Sequence, residues 1–203
     1  MTKIRKCQSP LVAARGQAAA SGFKLHAALR CLGQPLFRGK TAFEFAVLLE
    51  INREVTNWSC LPLELQAGPQ AHVPDFLVFK GDQAFLIDVR DANSGTPSWI
   101  ADRARAAGYQ YSVADPVDPQ SFRYRNARDL LRYARWTCPL GDRVRLLAAF
   151  DEHGSLTISE CLTAFRETNP MAGLASLILH RFVDVDLDEA ILGPETRVKR
   201  WRD

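Results

Sequence analysis

The stretch His72 to Arg90 reads HVPDFLVFKGDQAFLIDVR. Two apolar runs, 76–79 and 84–89, flank Lys80-Gly81-Asp82-Gln83. Glycine first in a two-residue turn between such runs is a hairpin signal. If Gly81 and Asp82 form the loop, Lys80 faces Gln83. Counting outward from that pair, Asp75 comes to face Asp88. Facing side chains in a sheet have Cβ atoms only about 4.5–5.5 Å apart. Both runs are apolar on both faces, which places them inside a sheet. Two carboxylates set opposite each other there repel. One must take a proton, or a cation must sit between them. A hard divalent ion with oxygen ligands, Mg²⁺ or Mn²⁺, meets that need. The plainer reading is that Asp75 opens one strand and Asp88 closes the next, both solvated or tied to Arg90. Arg90 lies two residues past Asp88 and so leaves the same strand face.

Upstream, a helix is expected from Ala42 to about Arg53, with Thr41 as its N-cap. At 100° per residue, Leu48, Ile51 and Val55 share a face with Glu44. A glutamate on an apolar face needs a cation or a hydrogen-bond partner. Glu50 points about 120° away by the same count and is expected to face solvent. It stays the reserve choice for the helix acid.

Outward from this centre the chain divides by rhythm. Short helices are expected at 12–20 and 24–32, an extended stretch at 55–65 and a loop at 66–70. A helix follows at 98–107, a strand at 109–113 and an arginine-rich helix at 121–136. Pro139-Leu140-Gly141 breaks the chain. Beyond it, helices at 143–153, 157–165 and 171–180 precede an alternating strand at 183–187 and a returning strand at 196–201. Three helices and a hairpin are the plan of a winged helix. The expected domains are a basic arm at 1–40, a core at 41–139 and a winged helix at 140–203.

The chain has 203 residues and a net charge of +3, with 47% hydrophobic and 24% charged residues. That composition belongs to globular domains, not disordered chains. No apolar run reaches about 18 residues, so no spanning helix is expected. Five scattered cysteines form no C-x-x-C pair, which points to a cytoplasmic chain without a disulfide framework or zinc knuckle. The first acid is Glu44, so residues 1–40 carry only positive charge. A transit peptide, a solvated tail and a phosphate-neutralising arm all fit that segment.

Glu44 on a helix, Pro74-Asp75, then Asp88-Val89-Arg90 resembles the P-D-(D/E)-x-K nuclease pattern. Closer still, FEFAVLLEINREV, HVPDFLVFKGDQAFLIDVR, GYQYSV and RYRNARDLLRYAR resemble the TnsA-like endonuclease subunits of heteromeric transposases. The resemblance covers residues 41–203. It implies a restriction-endonuclease-like α/β core, a mixed sheet flanked by helices, followed by an α+β winged-helix domain. It implies Glu44, Asp75 and Asp88 as metal ligands, with the Val89 carbonyl adding a fourth. The metal would lower the pKa of a bound water for phosphodiester hydrolysis at the 5′ ends of a mobile element. The implied partners are double-stranded transposon ends, a DDE-type transposase subunit and an AAA+ regulator, in a bacterial, nucleoid-associated setting. Where the pattern has lysine this chain has Arg90, which stays protonated and cannot be a general base. It can still clamp a phosphate. A nuclease fold that only binds DNA and recruits the transposase is therefore the rival reading.

Charge supplies the expected DNA contacts. Arg125, Arg128, Arg132 and Arg135 recur at three- and four-residue steps on one helix face, with Arg123 just before them. Such a stripe suits a phosphate backbone, or is simply a solvated face. Residues 140–190 hold four basic and nine acidic residues. Their third helix carries no long polar side chain to read a base edge. A protein-docking or core role is expected for that domain. His72 and Trp58 are read as a strand-edge residue and a core residue.

Overall fold

The computed structural model describes residues 9–25, 27–90 and 97–202. Lys3, Arg5 and Lys6 of the expected basic arm lie outside the described residues. Two compact units are present, Met1–Val117 and Asp118–Asp203.

The first unit opens with α1 (Pro10–Ala20) and α2 (Lys40–Ile51). Five strands follow: β1 (Val55–Cys60), β2 (Leu65–Ala67), β3 (Gln70–His72), β4 (Phe76–Lys80) and β5 (Gln83–Val89). The unit closes with α3 (Ser98–Ala106) and β6 (Gln110–Ala114). One sheet runs β1-β4-β5-β6. Its first two pairings are antiparallel and the last is parallel. The result is a mixed sheet with helices packed on it. The β4–β5 register is the one the turn dictates, from Lys80↔Gln83 to Phe76↔Ile87. Gly81 has φ 55° and Asp82 is not in the left-handed region, the pattern of a II′ turn that suits glycine first.

Several expectations are corrected here. The described residues of 24–32 form no helix. Leu32 N–H donates to Trp58 O, and Trp58 N–H to Arg30 O. The segment thus adds a parallel bridge, Cys31↔Trp58, beside β1. The expected loop at 66–70 is a small hairpin, β2–β3, turned at Gly68 with φ 59°. The 1–40 segment, read as an arm with little core, supplies Ala14, Ala18 and Phe37 to the main core beside Trp58, Phe76 and Val78. Glu50 does not face solvent. The N-terminal segment covers that side of α2, and Glu50 is 0% exposed.

The second unit holds α4 (Phe122–Leu131), α5 (Leu140–His153), β7 (Ser155–Thr157), α6 (Ile158–Leu162), α7 (Pro170–Leu179), β8 (Val183–Val185) and β9 (Arg197–Arg200). Its sheet runs β7-β9-β8, antiparallel throughout. The basic helix α4, expected in the preceding domain, belongs to this unit. Asn126 donates to Leu187 O and Ala190 O, at 3.0 and 2.7 Å, and accepts from Leu192 N–H. A capping box, Thr157 with Glu160, starts α6, satisfying two end N–H groups reciprocally. Gly173 lets α7 approach Phe165: a Cβ there would lie 2.4 Å from its ring. Among the described residues, no helix is long and apolar enough to cross a membrane.

Candidate functional site

The β4–β5 ladder ends at Phe76↔Ile87. Beyond it the two acids replace ladder bonds with their side chains. Asp75 N–H donates to Asp88 Oδ1 at 3.1 Å, and Val89 N–H donates to Asp75 Oδ2 at 3.0 Å. Asp75 and Asp88 are 8% and 9% exposed. The hairpin thus brings two carboxylates together inside the unit, as its turn residues require.

A strained residue helps fix Asp75. Leu61 follows β1 with φ 45° and is buried. Its N–H donates to Asp75 O at 2.9 Å. Its carbonyl accepts from Arg15 Nε and Nη2 at 3.2 and 2.9 Å. A left-handed leucine is costly and persists only where its surroundings over-determine it.

Three residues outside the expected site close on the pair. Arg38 donates to Asp75 Oδ1 from Nε at 3.0 Å and Nη2 at 2.6 Å. The same Nη2 is 3.7 Å from Asp88 Oδ1. Tyr111 O–H donates to Asp88 Oδ2 at 2.6 Å. His72 Nε2 lies 2.6 Å from that oxygen. His72 had a weak sequence signal, its closeness to Pro74-Asp75. Tyr111 enters through the parallel register Leu86↔Tyr111, which no turn announces. Arg38 lies in irregular chain before α2 and has no periodic signal.

These partners set the charge of the pair. Burial pushes Asp75 above the usual carboxylate range, against the pull of Arg38 and the Val89 N–H; the Asp88 charge pushes it further up. Burial would raise Asp88 too. The His72 and Tyr111 bonds, the His72 charge and the Asp75 N–H outweigh it, and Asp88 falls below the usual range. The same sheet end therefore holds one carboxyl raised by its surroundings and one lowered by them, a separation set by environment.

Other expected residues have partners of their own. Glu44 is buried, 5% exposed, as its apolar face requires. Its ionic partner is Lys40, with Nζ 3.4 Å from Oε1. Arg90 Nη1 pairs with Asp115 at 3.3 Å. Its side chain is 56% exposed. Glu50 is a structural anchor: it accepts from Leu29 N–H at 2.8 Å, from Arg30 N–H at 3.2 Å and from Trp58 Nε1–H at 2.9 Å. Arg125, Arg128, Arg132 and Arg135 are exposed. The helix ends at Leu131, so Arg132 and Arg135 lie in the turn after it. Arg128 sits 5.9 Å over the Tyr124 ring, and Arg123 pairs with Asp188 at 2.7 Å.

Asp75 and Asp88 offer the hard oxygens that Mg²⁺ or Mn²⁺ prefers. As arranged, they do not fit one. Asp75 is engaged by Arg38 and the Val89 N–H, and Asp88 by the Asp75 N–H, His72 and Tyr111. Among the described residues, no group of three or more His, Cys, Asp or Glu is placed to hold a metal ion. The first unit is thus a mixed α/β domain with a self-neutralised carboxylate pair at one sheet end. No family model matches the chain, and no curated protein matches it.

Proposed function

We propose that this chain is a DNA-acting subunit built on a nuclease-type core, a TnsA-like endonuclease subunit of a heteromeric transposase. One observation carries the reading: Asp75 and Asp88 meet at one end of β4 and β5. Around them a helix, the three antiparallel strands of the main sheet with the β2–β3 hairpin between the first two, a second helix and a parallel strand follow in order. That order and the buried opposed acids are what the P-D-(D/E)-x-K resemblance implies. The reaction is phosphodiester hydrolysis at transposon 5′ ends, with Mg²⁺ or Mn²⁺ as the proposed cofactor once Arg38 has left the acids.

The second unit is read as the winged helix of that family. Its helix-strand-helix-helix-strand-strand order from α5 to β9 supports this. Arg123, Arg125, Arg128, Arg132 and Arg135 are the proposed phosphate contacts, with a DDE-type transposase and an AAA+ regulator as protein partners.

Two observations favour the rival, a DNA-binding scaffold that has lost cleavage. Arg38 stands against both acids, and Arg90 turns to Asp115. A nicking assay on plasmid carrying transposon ends, with the transposase partner and Mg²⁺ or Mn²⁺, separates the two. Wild type is expected to nick and Asp88→Ala to lose nicking. If Asp88→Ala cuts as well as wild type, the site is misplaced. If only Arg90→Lys cuts, the scaffold reading holds.

A further inference from the structure

Resting on the nuclease reading, we infer that Arg38 is a built-in counter-ion that closes the Asp75–Asp88 pair to divalent cations and must swing away before one binds. Two facing buried carboxylates demand positive charge. The chain supplies it internally, with Arg38 Nη2 at 2.6 Å from Asp75 Oδ1 and 3.7 Å from Asp88 Oδ1. Asp75 Oδ2 accepts the Val89 N–H, Asp88 Oδ1 accepts the Asp75 N–H, and Asp88 Oδ2 has Tyr111 and His72. Arg38 hydrogen-bonds Asp75 and stands 3.7 Å from Asp88 Oδ1, so a cation held by both acids would have to compete with it. A guanidinium and a divalent cation cannot hold the same oxygens, because their charges repel at that range.

The fold lets the head move while holding the base. Phe37, the residue before, is buried in the core, and its carbonyl accepts from Ser21 O–H at 2.7 Å. The Arg38 side chain is 32% exposed, so its guanidinium has a way out. No physiological pH releases it, since arginine stays charged. A competing anion can. A DNA phosphate accepts the same two-pronged donation as a carboxylate, so phosphate binding and metal entry are coupled through one side chain. Arg38 is therefore a positioning residue that keeps the acids metal-free until nucleic acid arrives.

The test is Mn²⁺ alone, titrated into the full chain and followed by the loss of the free-ion electron paramagnetic resonance signal. The proteins are wild type, Arg38→Gln, Arg38→Lys and the double variant Arg38→Gln/Asp88→Asn. Arg38→Gln is expected to bind Mn²⁺ at least about tenfold tighter than wild type, within the 10–100-fold range of neighbours that tune metal sites. The double variant loses that gain. Arg38→Lys, which keeps the charge on a flexible stem, falls between, and it carries the test if the glutamine variant folds poorly. Equal Mn²⁺ affinity in wild type and both Arg38 variants, with loss in the double variant, overturns the latch and leaves the nuclease reading standing. No Mn²⁺ binding in any protein overturns both.

Discussion

Asp142 in the second unit and the Asp75–Asp88 pair in the first are buried acids with opposite designs. Asp142 is 0% exposed. It accepts from Arg166 N–H at 2.8 Å, Glu167 N–H at 3.1 Å and Thr168 N–H at 3.0 Å. Arg145 adds a guanidinium bond, and itself pairs with Glu167. This is one acid with three donors that belong to the backbone and cannot leave. The pair in the first unit is two acids set against each other. Each accepts one backbone N–H, and the rest of the balance comes from Arg38, His72 and Tyr111, side chains that rotamer changes can remove. Saturation by backbone marks an anchor, and neutralisation by side chains marks a place where another cation or a substrate can take over. Glu50, held by two backbone N–H groups and the Trp58 indole, sits with Asp142 in this division.

The largest expected effect breaks the anchor. Asp142→Ala strands the three N–H groups of 166–168 and should cost the second unit about 3 kcal/mol, the scale of an emptied buried charge site. Hydrogen exchange of those amides reads it without requiring both units to unfold together. The pH dependence has a definite sign. Burial raises the Asp142 carboxyl, but the backbone and Arg145 bonds outweigh it and hold it below the ordinary range. Its stabilisation is therefore complete above that range and is lost as pH falls through the folded value. The gap between wild type and Asp142→Ala should close in acid. A gap that stays constant would mean that the charge plays no part.

Glu50 gives a smaller effect with the opposite pH sign. Burial raises its carboxyl in spite of the Leu29, Arg30 and Trp58 donors. Between the unfolded and the raised folded value the folded chain binds more protons, so stability falls as pH rises through that window, starting at the ordinary glutamate range. Glu50→Gln keeps one acceptor and removes the charge. It should cost about 1 kcal/mol at neutral pH and less than Glu50→Ala, read by hydrogen exchange of the Leu29 and Arg30 amides. A loss matching Asp142→Ala would put the charge, not the shape, at the centre of this anchor.

Sequence made the pair legible but not its partners. The Lys80↔Gln83 register follows from a two-residue turn, and alternation carries it to the acids. Glu44 was legible as buried because its helix face is apolar. Glu50 was misread because amphipathic counting assumes one covered face, and residues 21–38 cover the other. The same segment delivers Arg38 from irregular chain, where no period exists to extrapolate. The domain break at Pro139-Leu140-Gly141 is a local helix boundary. Asn126, reaching Leu187 and Ala190 from α4, is a contact that only tertiary structure reveals.

The smallest expected effect on stability is at Asp75 itself, which sharpens the comparison most. Its carboxyl is raised by burial, with the Asp88 charge adding to it, so the ionised form weakens the fold as pH rises past the ordinary aspartate range. Asn in its place removes that repulsion and still offers one oxygen, either to Arg38 or to the Val89 N–H. The lost charge-assisted bond and the relieved repulsion oppose each other. Asp75→Asn should lie within about 0.5 kcal/mol of wild type at neutral pH, by hydrogen exchange of the β4 and β5 amides, while removing any nicking. A residue whose isostere keeps the fold and removes the activity is held for chemistry, as sites that trade stability for function are. A loss near that of Asp142→Ala would instead make the pair a second anchor, and the difference between the two buried-acid designs would vanish.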